Sequence, residues 1–293
     1  MGDPSAVTQV RSAYARRRED ALERRRWWLA SPRGRLRAVA VTVACVLLMC
    51  VAAAAMLPVA IATLFRWRRG YAEVMTRWLA VAVLRVAGIE RVVHRDAPWP
   101  RRQVIYTANH TSTLDPFILL SLGLPDTRYF LRGKYRAFLP MWFICALIGA
   151  FFTPPQSRPA ARVRCFQRAE QVLRRTGDSV YLSPEGTRIV DGTVGHFNKG
   201  TFHLATDLKA PIVPLFIDIA PDVNPGKGFA AMPGTVHVHV LPEISTAGWR
   251  LEDLRRNADA VREVYVAFND AAHAAGPGAV VGAARAALAR IPS

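Results

Sequence analysis

Gln103-Val104-Ile105-Tyr106-Thr107-Ala108-Asn109-His110-Thr111-Ser112-Thr113-Leu114-Asp115-Pro116-Phe117-Ile118-Leu119-Leu120 is the stretch that decides the fold. Its first six residues are a short, mostly apolar run, which predicts a buried strand. Pro116 to Leu122 predicts a helix, with Asp115 at the N-cap and Pro116 at N1, where a missing N–H costs nothing. His110 then stands at the mouth of the strand, just before a helix N-terminus. On an unbroken helix His110 and Asp115 would lie about 500° apart and diverge. They meet only if residues 110–114 turn, and Thr111, Ser112 and Thr113 suit a turn because their hydroxyls bond nearby backbone groups. A carboxylate that accepts from one ring nitrogen fixes the imidazole tautomer and leaves the other nitrogen to take a proton from a hydroxyl. His110 is therefore the candidate general base and Asp115 its orienting carboxylate. The plainer alternative is a helix cap beside an ordinary histidine.

Working outward, 293 residues suffice for one large core plus a membrane segment. A net charge of +17 points to a phosphate-bearing partner, either nucleic acid or an anionic membrane surface. A hydrophobic fraction of 51% favours the membrane, and no nucleic-acid motif supports the other choice. The four cysteines form no C-x-x-C pair, so neither a disulfide framework nor a metal site is expected.

Residues 1–35 are arginine-rich and read as a basic cytoplasmic extension, the first twenty or so as a solvated tail, with Trp27-Trp28 placed to anchor at headgroup level. Residues 36–65 are apolar and uncharged from residue 38 onward, long enough to enter a membrane. Arginines flank both ends, which leaves a tilted single span and a re-entrant hairpin bent at Pro58 or at Ala52–Ala55 both open. Residues 66–275 make the main domain, with strands expected at 89–94, 126–130, 180–182, 210–217 and 235–241. Helices are expected at 70–88, 158–175, 201–208 and 249–273, and an Ala-rich peripheral tail at 276–293. Residues 138–152 are apolar and suit a buried core and an acyl-chain channel equally. Ser183-Pro184-Glu185-Gly186-Thr187-Arg188 ends a strand in a turn with an arginine, a candidate anion-binding corner. His237 and His239 share a strand face, but two ligands are one short of a protein metal site, so they are taken as structural.

Four blocks in order, Asn109-His110 to Asp115, Lys134 to Gly149, Pro184-Glu185-Gly186-Thr187-Arg188, and Pro211-Ile212-Val213-Pro214, resemble the glycerolipid acyltransferase family, typified by lysophosphatidate acyltransferases. The resemblance covers roughly residues 85–245. It implies a mixed, largely parallel α/β sheet flanked by helices. By the same resemblance His110 is the catalytic base and Asp115 its partner, while Lys134, Glu185, Gly186, Thr187 and Arg188 bind the acceptor phosphate. A fatty acyl thioester of coenzyme A or acyl carrier protein is the co-substrate, with no metal or prosthetic group. The expected partners are membrane lipids and a lysophospholipid acceptor, not nucleic acid. The expected place is the cytoplasmic face of the cell's inner membrane. Where the family pattern F-K-x-G has a basic residue this chain has Asn198, followed by Lys199. Acceptors other than lysophosphatidate, an aminolipid or a glycolipid, stay open, as does a non-catalytic protein that binds anionic membranes.

Overall fold

The computed structural model describes residues 4–224, 226 and 228–275. The strand expected from the opening stretch forms as β2 (Ile105–Ala108), at the centre of a seven-stranded sheet. With β1 (Ile89–His94), β3 (Thr127–Arg132), β4 (Phe151–Thr153), β5 (Ser179–Leu182), β6 (Ile212–Ile219) and β7 (Gly234–Val240), the order is β1-β7-β6-β2-β5-β3-β4. Every pairing is parallel except β6 with β7, so the sheet is mixed and largely parallel. The fold class expected from the sequence is the one observed.

A parallel sheet must be covered on both faces, and the strand residues show it. Along β6, Val213, Leu215 and Ile217 enter one apolar cluster while Ile212 and Phe216 enter the other. The first cluster is roofed by α2 (Pro32–Ala62), α3 (Thr76–Ala87), α4 (Asp115–Ser121) and α5 (Leu139–Leu147). The second is covered by α6 (Pro159–Thr176), α7 (Lys199–Leu208) and α8 (Leu254–Ala275), whose Tyr265 and Phe268 are fully buried. Each such side chain contributes about 1.5–3 kcal/mol on removal from water. Helix α3 is preceded by a π turn at Gly70–Met75 and stops at Gly88, whose φ of +77° ends the helix in the left-handed region.

One expectation needs correcting, and one of two open alternatives falls. The N-terminal residues are not a solvated tail: Pro4–Ala30 forms α1, which packs along α8. Tyr14 stacks on His273 with ring centroids 3.4 Å apart, Arg17 donates to the His273 carbonyl at 2.7 Å, and Arg25 is buried, donating to the Ala230 carbonyl. The apolar run forms no hairpin either. Pro58 lies inside α2, and the helix continues to Ala62, since a proline forfeits one backbone bond without stopping a helix that tertiary contacts hold. The apolar residues 138–152 fold as α5 followed by the edge strand β4. The tail expected at 276–293 lies outside the described residues.

Helix α2 spans about 46 Å at 1.5 Å per residue and is two-faced. Val41, Cys45, Met49, Met56 and Ala60 are buried against the domain, while Leu36, Val39, Val43, Leu47, Val51, Leu57 and Ile61 are exposed. It is the one described helix long and apolar enough to cross a membrane.

Candidate active site

In an open parallel sheet, sites form beyond the carboxyl ends of the strands. His110 follows β2 there, and the 183–188 corner follows the adjacent β5. The turn at 110–114 forms because one carboxylate gathers it. Asp115 Oδ2 accepts from His110 Nδ1 at 2.7 Å, from the Thr111 N–H at 2.8 Å and from the Ser112 N–H at 2.9 Å. Asp115 is the first residue of α4 rather than its N-cap, so its carboxylate serves the turn before the helix. The Ser112 hydroxyl accepts from the Leu114 N–H at 3.0 Å instead. Because an ionised carboxylate only accepts, His110 Nδ1 must carry the proton, and Nε2 is left as the free base. The Asp115 side chain is 1% exposed and that of His110 24%, so the pair is anchored inside and open at one end.

That end faces a cavity of about 990 Å³. Leu79, Phe117, Ile144 and Ile148 line it from one side of the sheet and Phe166 and Leu204 from the other. The cavity also meets four cations: Arg132, Lys134, Arg162 and Lys199. A site with apolar walls and a few polar groups suits a ligand with a long hydrocarbon part and a charged head.

The structure brings the 183–188 corner to His110, but not with every residue in the expected role. Ser183, Pro184 and Gly186 line the same cavity as His110. Glu185 does not: it is 3% exposed, with Oε2 accepting from the His110 N–H at 2.7 Å and Oε1 from the Gly195 N–H at 2.8 Å. The Ile189 N–H donates back to the His110 carbonyl at 2.8 Å. Glu185 is thus a brace that fixes the corner against the base, not a group that could touch a phosphate. Burial raises its pKa to about 7, against the two backbone N–H donors and His110, which pull it down. The Arg188 guanidinium bonds the Gly226 carbonyl and the Thr113 hydroxyl; Thr113 lines the cavity, Arg188 stands behind it, and among the described residues no carboxylate pairs with Arg188. Thr187 accepts from Arg132 at 3.3 Å, and Lys134 is exposed at the cavity edge.

Several supporting residues carried no assignment in the sequence. Asn109 is buried and pins the turn to β6 through both halves of its amide, donating to the Ile217 carbonyl at 2.9 Å and accepting from its N–H at 2.8 Å. Asn198 donates to the carbonyls of Pro184 and Glu185 at 3.1 and 2.8 Å, holding the turn in which Gly186 takes a φ of +64°. Asn224 accepts from the Ser112 hydroxyl at 3.1 Å and from the Gly226 N–H at 2.8 Å. An Asn two residues before a Gly was the available signal for that turn.

On the opposite edge of the sheet His94, His237 and His239 stack together, and among the described residues no group of three or more His, Cys, Asp or Glu is placed to hold a metal ion.

A family model described as Acyltransferase matches residues 84–218. The 1-acyl-sn-glycerol-3-phosphate acyltransferase of Limnanthes douglasii is 29% identical over 173 residues, 57% of this chain and 59% of that one. The alpha form from Mus musculus is 29% identical over 169 residues, 56% and 57% of the two chains. This chain thus spans a little under 60% of the length of these curated relatives. Among solved structures, the 1-acyl-sn-glycerophosphate acyltransferase PlsC from Thermotoga maritima aligns over 80% of this chain and 96% of its own, with a TM-score of 0.66 and 21% identity, a likeness of fold.

Proposed function

We propose that this chain, which belongs to the glycerolipid acyltransferase family, moves a fatty acyl group from a thioester to the hydroxyl of a lysophospholipid, with 1-acylglycerol-3-phosphate as the acceptor. The observation that carries this reading is His110, fixed at Nδ1 by Asp115 at 2.7 Å and open at its other end onto a large apolar cavity with a cationic rim. In the reaction His110 Nε2 takes the proton of the acceptor hydroxyl as its oxygen attacks the thioester carbonyl carbon. The C–O bond forms, the C–S bond breaks, and the departing sulfur receives a proton from the imidazolium. No acyl-enzyme, metal or prosthetic group enters this scheme, and the thioester of coenzyme A or acyl carrier protein is a co-substrate. Lys134, Arg132 and Arg188 hold the acceptor phosphate, and that remote binding energy positions the hydroxyl.

The two-faced α2 supports membrane attachment by lying against the domain with its outer flank in the lipid, rather than as a free span surrounded by lipid. Trp27, Trp67, Trp78, Leu139 and Trp142 extend the exposed apolar surface. The catalytic domain then sits at the cytoplasmic face of the cell's inner membrane.

The test is purified protein in mixed micelles with labelled acyl-coenzyme A and a panel of lyso-lipids. Labelled phosphatidate from 1-acylglycerol-3-phosphate is the expected product. Preferential labelling of a lyso-aminolipid or glycolipid would reassign the acceptor, and no thioester consumption with any acceptor would remove the enzymatic reading.

A further inference from the structure

A second cleft, of about 460 Å³, runs along the edge strand β4, behind the wall of the main cavity. Arg136, Arg164 and Arg168 line it together with Phe151 and Phe152 of the edge strand. Among the described residues none of these three arginines has an ion-pair partner, whereas Arg128 pairs at 2.7 Å with Asp178, a carboxylate it shares with Arg68, and Arg174 pairs with Glu170 at 2.7 Å. Helix α6 carries five arginines and one glutamate, and Arg164 and Arg168 stand four apart on one face, a like-charge pair that destabilises a helix unless something anionic lies on it. The Arg136 guanidinium lies over the Phe152 ring, 4.7 Å from its centroid, which holds a rotamer-rich side chain at the cleft.

The cleft shares its walls with the active-site cavity. In α6, Arg162 and Phe166 face the cavity while Arg164, Cys165 and Arg168 face the cleft. In β4, Thr153 lines the cavity while Phe151 and Phe152, on opposite faces of this edge strand, line the cleft. The turn after β3 gives Lys134 and Tyr135 to the cavity and Arg136 to the cleft. A long molecule whose reactive end reaches His110 past residues 133–136 would lay its other end here. We infer that the cleft bounded by Arg136, Phe152, Arg164 and Arg168 binds the adenosine 3′,5′-bisphosphate end of an acyl-coenzyme A donor. Arginine forks match phosphates, and the phenyl and guanidinium planes match a purine. An acidic carrier protein would meet a broad convex surface rather than a concave slot, and a lipid headgroup phosphate brings no planar ring for the Phe152–Arg136 pair.

This site rests on the transferase reading, and the two can fail separately. The variant is Arg164→Glu/Arg168→Glu, two exposed changes in the full chain, and the first readout is calorimetric binding of adenosine 3′,5′-bisphosphate, which needs no turnover. Wild-type protein binds the nucleotide, binding weakens with added salt, and the variant loses about tenfold or more in affinity. In the transfer assay the variant's KM for acyl-coenzyme A rises to match, while its KM for acyl-pantetheine, which lacks the nucleotide, and for the lysolipid stays put. Equal nucleotide affinity in variant and wild type, or no nucleotide binding by wild type, overturns the site. A variant that loses affinity only for phosphatidylglycerol vesicles also overturns it, assigning the arginines to headgroups. Nucleotide binding that depends on the two arginines in a protein that transfers no acyl group would leave the site standing and remove the transferase reading.

Discussion

Two groups of histidines, one at the centre of the sheet and one at its edge, show what makes an imidazole chemically useful. His110 has a buried carboxylate on Nδ1, that carboxylate is held by two backbone N–H groups, and the ring opens onto a cavity. His94, His237 and His239 have one another. His94 and His239 stack with centroids 4.4 Å apart, His94 and His237 share a hydrogen bond of 2.9 Å, and among the described residues neither ring nitrogen of His239 has a hydrogen-bond partner. Burial first, and then the two neighbouring imidazoles, push the His239 pKa down to about 4. Residue type is the same in both places, and Asp218 stands opposite His237 at the edge; the difference lies in a carboxylate hydrogen-bonded to the ring and in access to a cavity.

The largest expected effect that separates the two groups is at Asp115. Asp115→Asn turns an acceptor facing three donors into a mixed group, and kcat should fall by about 10²–10⁴-fold, the range of general-base catalysis. In a double-mutant cycle His110→Ala should add little to Asp115→Asn, because the two act as a unit; full additivity would separate them. Next is Arg188→Ala, expected to raise the KM for 1-acylglycerol-3-phosphate about tenfold, as loss of a charge-assisted contact does, with the donor KM unchanged.

Smaller, and structural, is Glu185→Gln. One of its two backbone donors would then face an N–H, at a cost of about 1–3 kcal/mol in unfolding free energy measured by denaturant titration. No loss of stability would mean that the corner is not braced by this carboxylate. Of similar size, but spread over a pH range, is an effect at the edge cluster. His239 has a folded pKa below its unfolded value of about 6.5, so its contribution is present above pH 6.5 and is lost as pH falls toward 4. Replacing His239 with Leu should flatten the stability–pH curve between those limits, and an unchanged slope there would place the acid sensitivity elsewhere.

The sheet was legible where pattern is local. The run before His110, the Pro after Asp115 and the apolar strand around Ile212 each have a short-range physical cause, and the elements sit within a few residues of expectation. The His110–Asp115 turn was legible too, because only a bend could bring those side chains together. Contacts between distant residues were not. The arginines at the start read as solvated, yet Arg17 and Arg25 close contacts with residues 273 and 230, more than 200 positions away. Strand β4 has three residues, too few to show a period beside the apolar helix before it. Glu185 read as a ligand group because a Pro-Glu-Gly turn gives no sign of which way its carboxylate points. Burial and the two N–H donors settle that, and both come from elsewhere in the chain.

The most direct measurement is acyl transfer to 1-acylglycerol-3-phosphate by His110→Ala and His239→Ala, side by side, each verified as folded by circular dichroism. Loss of transfer in the first, with wild-type turnover in the second, is the predicted result. Wild-type turnover by His110→Ala would contradict the assignment of the base, whatever the second variant does.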